Sequence, residues 1–360
     1  MRMGRWSLLA VGVIATACAP TIGPVIPSVQ VLVVLDSLDD TLRVIPVDSP
    51  DVMHRILLNV VAPKHALALS GQIAAIGLGS SAMTVDLARR RTVCAPVPLD
   101  PPGPISALSF ADNGFVYAAK PTVNGAPHFD PNACGAAGQG YVRGGPQAFV
   151  SARSTFFIVA ANGIPCAPLP ANCPVAPSWL ATSTSQTSGN TPLSPSDSIP
   201  LSLPGNAQGA VLAADGFLYV INAGNGRQQS ARLSQVDPVQ KTERNVYNGF
   251  GTLPQYIATD GTRVFVASAA EGLMVYNTAT NQVERDANAA IPLFGSPRGL
   301  VADDIGRVYV LIAGTCSPAG QGSIRIFGTD LVYKRGVTLG RCPVAIGVTD
   351  IPATLYHFDN

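Results

Sequence analysis

Short apolar runs alternate with turn-forming residues over most of the chain, most regularly in the segment 253–295. Four strands are predicted within this segment, at 256–259, 263–267, 273–276 and 282–286. Asp260 and Gly261 form a tight turn between the first two strands, and the polar run 277–281 joins the last two. The pattern predicts one small four-stranded antiparallel sheet.

The same pattern recurs along the chain with a period typical of four strands. The turn glycines Gly216, Gly261 and Gly306 are separated by 45 residues in each case. Seven segments have the pattern of the first strand, and six of them begin with a proline, which is tolerated where the ladder needs no donor. These segments are 63–69, 104–110, 146–151, 206–213, 254–258, 297–302 and 343–348. The sequence therefore predicts an all-β fold, a seven-bladed β-propeller with four-stranded blades.

The two ends of the chain are predicted to share one blade. The segments 30–35, 41–47 and 53–60 have the pattern of three strands without an inner strand, and the last inner strand, 343–349, has little after it. Joining them completes the seventh blade and closes the ring. The segment 354–358 also resembles a strand, so either it replaces 30–35 or one of the two lies outside the sheet.

We therefore expect one propeller domain over residues 29–360. Two stretches near 121–140 and 162–200, rich in Gly or in Ser, Thr and Pro, are interpreted as insertions between second and third strands. The shorter stretch 314–322 is interpreted in the same way. Because links of this kind emerge on one face of a propeller, the insertions are expected to crowd one rim of the channel.

The N-terminus has the features of an export signal. Arg2 and Arg5 precede an apolar stretch of 12 residues, too short for a permanent membrane helix, which needs about 20. We predict a signal peptide over 1–17, and a lipid anchor and linker over 18–28, where three prolines favour a stiff tether.

Two interpretations of the cleavage point remain open. Residues 15–18, Ala-Thr-Ala-Cys, resemble the lipobox of bacterial lipoproteins, which implies that Cys18 is diacylated, although Ala15 stands where leucine is usual. The alternative is ordinary cleavage after Ala17. Removing Cys18 from the count leaves six cysteines, an even set that suits an oxidising compartment and favours lipidation. Ala19, rather than aspartate, follows the cysteine, which implies an outer-membrane or periplasmic lipoprotein.

Charge adds a constraint on partners. Only 12% of residues are charged and the net charge is +1, so no field is expected that would hold nucleic acid or an anionic membrane surface. Contact with a membrane is predicted through the lipid anchor alone.

A family resemblance supports the fold. Residues 275–283, VYNTATNQV, with a weaker copy at 236–241, resemble the consensus of YVTN-type β-propeller repeats, which have NHL-like relatives. The resemblance implies a six- or seven-bladed propeller in an extracytoplasmic bacterial protein. It implies a fold rather than a chemistry, because propellers carry many functions.

Motifs for common chemistry are missing from the sequence. No HExxH, GxSxG, GxGxxG or GxxxxGK[ST] occurs, so we predict no metal site and no cofactor. Propeller sites, however, are assembled from residues of different blades.

Polar residues near the start of each predicted inner strand are expected to face the channel mouth. They are Lys64, His65, Ser106, Gln147, Gln208, Gln255, Tyr256 and Arg298. The absence of carboxylates disfavours calcium or magnesium, whereas cations and amides suit a neutral or anionic ligand. Alternatively, these side chains bond to one another and to water in a filled channel. Only His65 is a candidate acid or base, and a weak one.

Six cysteines remain for disulfides, and six allow 15 pairings. Cys166 and Cys173 lie in one insertion and are expected to close it. Cys316 and Cys342 are expected to meet on the rim and join the last blade to the closing one, which leaves Cys94 for Cys134.

Two functions compete on these observations. The first is an extracytoplasmic binding or scaffold protein for a protein or glycan partner. In this case the chain is not an enzyme. The alternative is a lyase or hydrolase that acts on a small anionic substrate at the channel mouth, with His65 as acid or base and Lys64 or Arg298 holding the substrate.

Overall fold

The computed structural model describes residues 27–161, 176–184, 197–225, 230–317 and 320–353. Within these ranges, seven four-stranded antiparallel sheets form a ring, with one short 3-10 helix at Pro121–Val123. The inner strand of each sheet contacts the inner strands of both neighbouring sheets around the ring. The predicted seven-bladed β-propeller is confirmed.

The blades are numbered in chain order, and their strands are given from the channel outward. Blade 1 contains β28 (Pro343–Pro352), β1 (Ser28–Asp36), β2 (Thr41–Pro46) and β3 (His54–Leu57). Blade 2 contains β4 (Lys64–Ser70), β5 (Ile73–Leu78), β6 (Ser81–Asp86) and β7 (Arg91–Pro98). Blade 3 contains β8 (Ala107–Phe110), β9 (Val116–Ala119), β10 (His128–Asp130) and β11 (Gly135–Gly138). Blade 4 contains β12 (Pro146–Ala152), β13 (Thr155–Ala160), β14 (Trp179–Thr184) and β15 (Asp197–Pro200).

The last three blades follow the same order. Blade 5 contains β16 (Ala207–Leu212), β17 (Leu218–Asn222), β18 (Arg232–Asp237) and β19 (Thr242–Tyr247). Blade 6 contains β20 (Tyr256–Thr259), β21 (Arg263–Ser268), β22 (Gly272–Asn277) and β23 (Gln282–Arg285). Blade 7 contains β24 (Pro297–Ala302), β25 (Val308–Ile312), β26 (Gln321–Phe327) and β27 (Tyr333–Arg341).

The two ends of the chain meet in blade 1, as predicted. β1 pairs with β28 along its whole length, from Ser28 opposite Pro352 to Asp36 opposite Pro343. The segment 30–35 is therefore the second strand of this blade. Its predicted competitor, 354–358, lies outside the described residues.

The interpretation of 121–140 and 162–200 as insertions between second and third strands is wrong. The first stretch contains β10 and β11 and the second contains β14 and β15, which are the third and fourth strands of blades 3 and 4. β10 has only three residues and β11 is Gly-Ala-Ala-Gly, so neither is long enough to show an alternating pattern. Of the stretch 162–200 in blade 4, the structure describes residues 176–184 and 197–200.

The core lies between the blades rather than within them. In β21, Val264 and Val266 pack into the cluster shared with blade 5, while Phe265 and Ala267 pack into the cluster shared with blade 7. The described residues form seven such clusters of buried apolar side chains, one at each junction between neighbouring blades. Each sheet is thus apolar on both faces and needs a neighbour on each side.

The inner strands differ from the strands outside them in exposure. β17, β21 and β25 are almost wholly buried, whereas β28 is half-exposed over most of its length. This difference is expected if the inner strands border a solvent-accessible axial channel.

Glycines let the inner strands approach one another. Gly299 of β24 receives the side chain of Ile346 from β28, so that a Cβ on Gly299 would lie 2.6 Å from Cγ2 of Ile346. In the same way Gly347 receives Leu69, and Gly209 receives Ile257. In each pair the later blade around the ring inserts a branched side chain into a glycine of the preceding blade.

Two disulfides join neighbouring blades, and both match the predicted pairs. Cys94 in β7 is bonded to Cys134 of blade 3, with Cα atoms 5.2 Å apart. Cys316 of blade 7 is bonded to Cys342, just before β28, with Cα atoms 4.4 Å apart. Disulfides of this kind indicate an oxidising, extracytoplasmic environment.

Several sequence predictions fall outside the described residues. Cys166 and Cys173 lie there, as do Cys18 and the predicted signal peptide at 1–17. Within the described ranges, no helix has the length and apolar character that crossing a membrane requires.

The turn between β1 and β2 holds the closing blade to both neighbours. Towards blade 7, Arg341 donates from its backbone amide to Oδ2 of Asp39 at 2.8 Å and from Nε to Oδ1 at 2.6 Å. Towards blade 2, Asp40 forms an ion pair with Lys64 at 2.8 Å. Beneath the turn, Asp36 pairs with Arg43 in the interior, and burial raises the pKa of Asp36 although Arg43 opposes the shift.

Gly299→Ala tests the packing of the inner strands. We expect it to lower the free energy of unfolding by about 1–3 kcal/mol, because the added methyl group overlaps Ile346. The same substitution should cost less in an Ile346→Ala background, measured by urea unfolding as a double-mutant cycle. Gly135→Ala is the control, since its Cβ would meet nothing closer than 4.0 Å. Equal effects at the two glycines would contradict this packing.

Asp39→Asn tests the ionic closure. Burial acts to raise the pKa of Asp39, but hydrogen bonds from Arg341 outweigh it and hold the pKa below its usual value. A depressed carboxyl pKa stabilises the fold above the unfolded pKa, about 3.9, and this contribution is lost as pH falls through the folded pKa. The variant should therefore be less stable than wild type at pH 7 and should approach it below about pH 4.

Asp51→Asn is the control for that comparison. Asp51 pairs with Arg335 at 2.9 Å, but its side chain is 85% exposed, so little change is expected at either pH. A pH-independent deficit in Asp39→Asn would show that the carboxylate charge is not what stabilises the closure.

Candidate functional site

The inner strands of five blades begin with a β-bulge, and those of blades 3 and 6 begin with a comparable hydrogen-bond pattern. In blade 7, Pro297 opposes Ile312 and Gly299 opposes Leu311, so Arg298 is an extra residue between them. The pairing register shifts at the same point in blades 1, 2, 4 and 5. In blade 3, the amide of Ser106 donates to the carbonyl of Ala119, which is paired with the next residue, Ala107. In blade 6, the amide of Gln255 donates in the same way to the carbonyl of Ala267, which is paired with Tyr256.

The extra residues of these five bulges and the corresponding residues of blades 3 and 6 occupy equivalent positions at one end of the channel. We call this set the mouth ring, and its members are His65, Ser106, Gln147, Gln208, Gln255, Arg298 and Val344. Six of the seven are polar residues that sequence analysis predicted at the mouth. The seventh, Val344, gave no polar signal and was missed.

Lys64 was placed with this group by the sequence analysis, and that placement is wrong. Its side chain is buried, and Nζ donates to the carbonyl oxygens of Val60 at 3.1 Å and Ala62 at 3.2 Å, besides the ion pair with Asp40. The bulge of blade 2 begins one residue later relative to its proline than in blade 7. Lys64 therefore takes the place that Pro297 has in blade 7, and its charge links blades 1 and 2 instead of facing the channel.

Three mouth-ring side chains donate hydrogen bonds to nearby groups of the protein itself. Gln208 donates to Oδ1 of Asn206 at 2.6 Å, and Gln147 donates to the carbonyl of Gly145 at 3.4 Å. Ser106 donates to the carbonyl of Ala119 at 3.2 Å. These contacts resemble the filled-channel alternative, in which polar side chains bond within the protein.

The exposed members of the ring supply the donors that remain. Arg298 lies beside Tyr256, where its charge and hydrogen bond oppose the rise in the pKa of Tyr256 that burial causes. His65 and Gln255 are also exposed, and the described residues provide no hydrogen-bonding side-chain partner for His65. The mouth thus combines a guanidinium, an imidazole and an amide, a donor set suited to neutral or anionic groups.

Acidic groups do not gather near this ring in the described part of the chain. Across residues 27–161, 176–184, 197–225, 230–317 and 320–353, no three His, Cys, Asp or Glu side chains cluster as metal ligands would. The recurrent hairpin acids act in turns: Asp215 accepts from the amide of Phe217 at 3.1 Å and from the hydroxyl of Tyr219 at 2.7 Å. Asp303 accepts in the same way from Arg307 and Tyr309.

Sequence analysis missed Lys120 on the same face. Its ammonium is fully buried and donates to the carbonyl oxygens of Ser80 at 3.1 Å and Pro101 at 2.8 Å, and also to that of Leu99. Burial lowers the pKa of Lys120 to about 8, and Asp100 opposes the shift. The signal for this role was a lysine in an apolar run, Tyr-Ala-Ala-Lys-Pro, which was assigned to the edge of an insertion. Lys120 ties the links around blades 2 and 3 together.

A cleft at the outer edge of the junction between blades 3 and 4 was also missed. It has a volume of about 370 Å³ and lies between the link 141–143 and the strands β14 and β15. Tyr141, Arg143 and Trp179 form much of its wall. We call it the blade-3/4 cleft. A larger cavity of about 570 Å³ lies between blades 5 and 6, and its lining includes Leu203, Arg232, Asn248 and Asn288.

Comparison with known proteins adds support for the fold alone. No protein-family model matches the chain, and no curated protein matches it. Among solved structures, hydrazine synthase of Kuenenia stuttgartiensis is similar at a TM-score of 0.60 with 12% identity, over 81% of this chain and 90% of that one. The computationally designed protein Ika8 is similar at a TM-score of 0.52 with 12% identity, over 76% of this chain and 77% of that one. A chain of the nidogen/laminin complex reaches a TM-score of 0.49 at 12% identity, over 71% of this chain and 92% of that one.

The different roles of Lys64 and Arg298 can be tested by substitution. Lys64→Met should lower the free energy of unfolding by about 1–3 kcal/mol, because it leaves the partly buried carbonyl oxygens of Val60 and Ala62 without this donor and Asp40 without its ion pair. Arg298→Ala should change it by no more than about 0.5 kcal/mol, as is usual for an exposed side chain. Urea unfolding of both variants measures the contrast. A deficit in Arg298→Ala as large as that in Lys64→Met would show that Arg298 is structural.

Proposed function

We propose that this chain is an exported, lipid-anchored binding protein whose ring presents its mouth-ring face to a protein or glycan partner. The observation that carries the proposal is the mouth ring itself. Equivalent positions at the starts of the seven inner strands place side chains around one end of the channel, and none of the seven is a carboxylate. Exposed Arg298, His65 and Gln255 supply hydrogen-bond donors from three blades.

Export is supported by the two disulfides and by the features of residues 1–18. Because β1 begins at Ser28, a tether over 18–28 would lead directly into the ring. A diacylated Cys18 would hold the protein at a membrane stably, since one acyl chain alone gives only marginal binding. Ala19 after the cysteine favours the outer membrane as the destination.

The YVTN-like segment supports membership of that propeller family through its turn chemistry. Asn277, at the end of β22, accepts hydrogen bonds from the amides of Ala279 at 2.9 Å and Thr280 at 3.1 Å. Asn281 adopts a left-handed conformation with φ of 55°, which asparagine tolerates well. The consensus residues therefore form the tight link between the third and fourth strands, a requirement of the fold rather than of a reaction.

The alternative of a lyase or hydrolase is weaker on these contacts. It drew on Lys64 or Arg298 to hold an anionic substrate, and the ammonium of Lys64 is taken up by Val60, Ala62 and Asp40. Arg298 and His65 remain as its residues. A general base normally has a group that orients it, and the described residues place no carboxylate on His65.

A photo-cross-linking amino acid at position 255 tests the proposal in cells that express the full chain. We expect adducts from position 255 in the envelope fraction, and fewer adducts when Arg298→Ala is added. Position 304 is the control, because Asp304 is exposed in the hairpin between β24 and β25, on the opposite face of the ring. In the same cells, Cys18→Ser should move the protein from the membrane fraction to the soluble one.

Two outcomes would count against the proposal. Equal adducts from positions 255 and 304 would show that the mouth-ring face is not the binding face. Turnover of a small anionic substrate that is lost in His65→Ala would replace the binding protein with the enzyme.

A further inference from the structure

The blade-3/4 cleft presents an aromatic side chain on a rigid support. Tyr141 is 63% exposed, yet its backbone pairs with Gly125 in a β-bridge. The next residue, Val142, is buried and its amide donates to the carbonyl of Asn124 at 2.8 Å. The ring of Tyr141 is therefore held at the surface by ordered backbone rather than by a free loop.

The opposite wall of the cleft is built on blade 4. Trp179 begins β14 and is paired on both sides, with Ala160 of β13 and Pro200 of β15. Two residues further along the same face, Ala181 lies opposite Ser198. Because both of these side chains are small, the floor of the cleft stays open beside the indole, and its volume is about 370 Å³.

The unpaired charge of the cleft is positive. The exposed guanidinium of Arg143 lies with Cζ 5.9 Å from the centre of the Trp179 ring, and it forms no ion pair with any described residue. Asp197, the carboxylate on the rim of the cleft, pairs with Lys241 at 3.4 Å and accepts from the amide of Ser198 at 2.8 Å. The donors of Arg143 are thus available to an anion from outside the protein.

The indole of Trp179 adds a donor without an acceptor. Its Nε1 is buried, and no described residue places an acceptor within hydrogen-bonding distance of it. The cleft thus combines the aromatic rings of Tyr141 and Trp179 with the guanidinium of Arg143 and the hydroxyl of Ser198, a combination typical of small-ligand sites.

We propose that the blade-3/4 cleft binds a saccharide ring that carries a carboxylate, such as a uronic acid unit of an acidic glycan. The C–H face of the sugar ring stacks on Tyr141, the carboxylate takes two hydrogen bonds from Arg143, and a hydroxyl group bonds to Ser198. The cleft volume is near the lower end of the roughly 300–1,000 Å³ of small-ligand sites, which suits one or two rings. The inference rests on the proposed function, since it makes a glycan the partner and gives it a site outside the channel mouth.

Tryptophan fluorescence gives a direct test, because the chain has two tryptophans, Trp6 and Trp179. In the full chain carrying Trp6→Phe, the emission of Trp179 is followed during titration with glucuronic acid and with glucose. These sugars differ only in the carboxylate, so glucuronic acid should bind about tenfold or more tightly. Added salt should reduce this preference.

Variants assign the preference to residues. Arg143→Gln should lower the affinity for glucuronic acid to that for glucose, because it removes the charge and keeps a hydrogen-bonding side chain. Tyr141→Ala should weaken both sugars several-fold through loss of the stacking face. Tyr333→Ala is the matched control, an exposed tyrosine on blade 7 whose removal should change neither affinity.

Several results would overturn the inference. Equal affinities for glucuronic acid and glucose would show that the cleft does not prefer an acidic sugar. Unchanged Trp179 emission with both sugars would show that the cleft binds neither. If benzoate bound as tightly as glucuronic acid, the cleft would be a site for flat carboxylates in general and not for a saccharide. Cross-links at the channel mouth without glucuronic acid binding would overturn this inference alone, whereas turnover of a glucuronic acid glycoside would keep the site and overturn the non-catalytic function.

Discussion

The structure depends on the burial of both faces of every sheet. Successive residues of β21 go to opposite junctions, Val264 and Val266 to one side and Phe265 and Ala267 to the other. A blade with two apolar faces cannot be stable alone, and an open row of such blades would leave two apolar faces in water. Closure of the ring is therefore a requirement of the strand composition. The pairing of β1 with β28 satisfies it, and the Cys316–Cys342 bond and the contact of Asp39 with Arg341 reinforce it at the same seam.

Closure of the ring also explains why some polar side chains stabilise the fold while others are available to bind a ligand. At the ends of the inner strands, the links between blades leave backbone carbonyl oxygens that the ladders do not use. Lys64 and Lys120 satisfy such oxygens from buried positions, as Gln208 and Gln147 do from the mouth ring. Side chains beyond those needs, such as Arg298 at the mouth and Arg143 at the outer edge, are the ones available to a ligand.

The blade-3/4 cleft arises where the regular pattern is weakest. β10 and β11 are the short third and fourth strands of blade 3. The facing strands of blade 4 carry Trp179, Ala181 and Ser198 next to the link that holds Tyr141 and Arg143. Irregularity in one blade thus contributes to a concave site, although the larger cavity between blades 5 and 6 lies between regular blades.

The sequence by itself predicted the number of blades, the closure across the termini and the Cys316–Cys342 pair from spacing, and it left Cys94 for Cys134 by elimination. Strand period, proline positions and cysteine positions are all local or countable properties. The polar members of the mouth ring were predicted from their place at the start of each inner strand, most of them just after a strand-opening proline. What a given side chain contacts was decided only by the tertiary structure. Lys64 and His65 are adjacent in the sequence, yet a shift of one residue in the bulge buries one and exposes the other. The third and fourth strands of blades 3 and 4 escaped prediction because β10, β11 and β15 have only three or four residues, too few to show a period, and β14 lies in a stretch rich in Ser, Thr and Pro. The blade-3/4 cleft escaped it because its walls come from separate parts of the chain, which only the packing of two blades brings together.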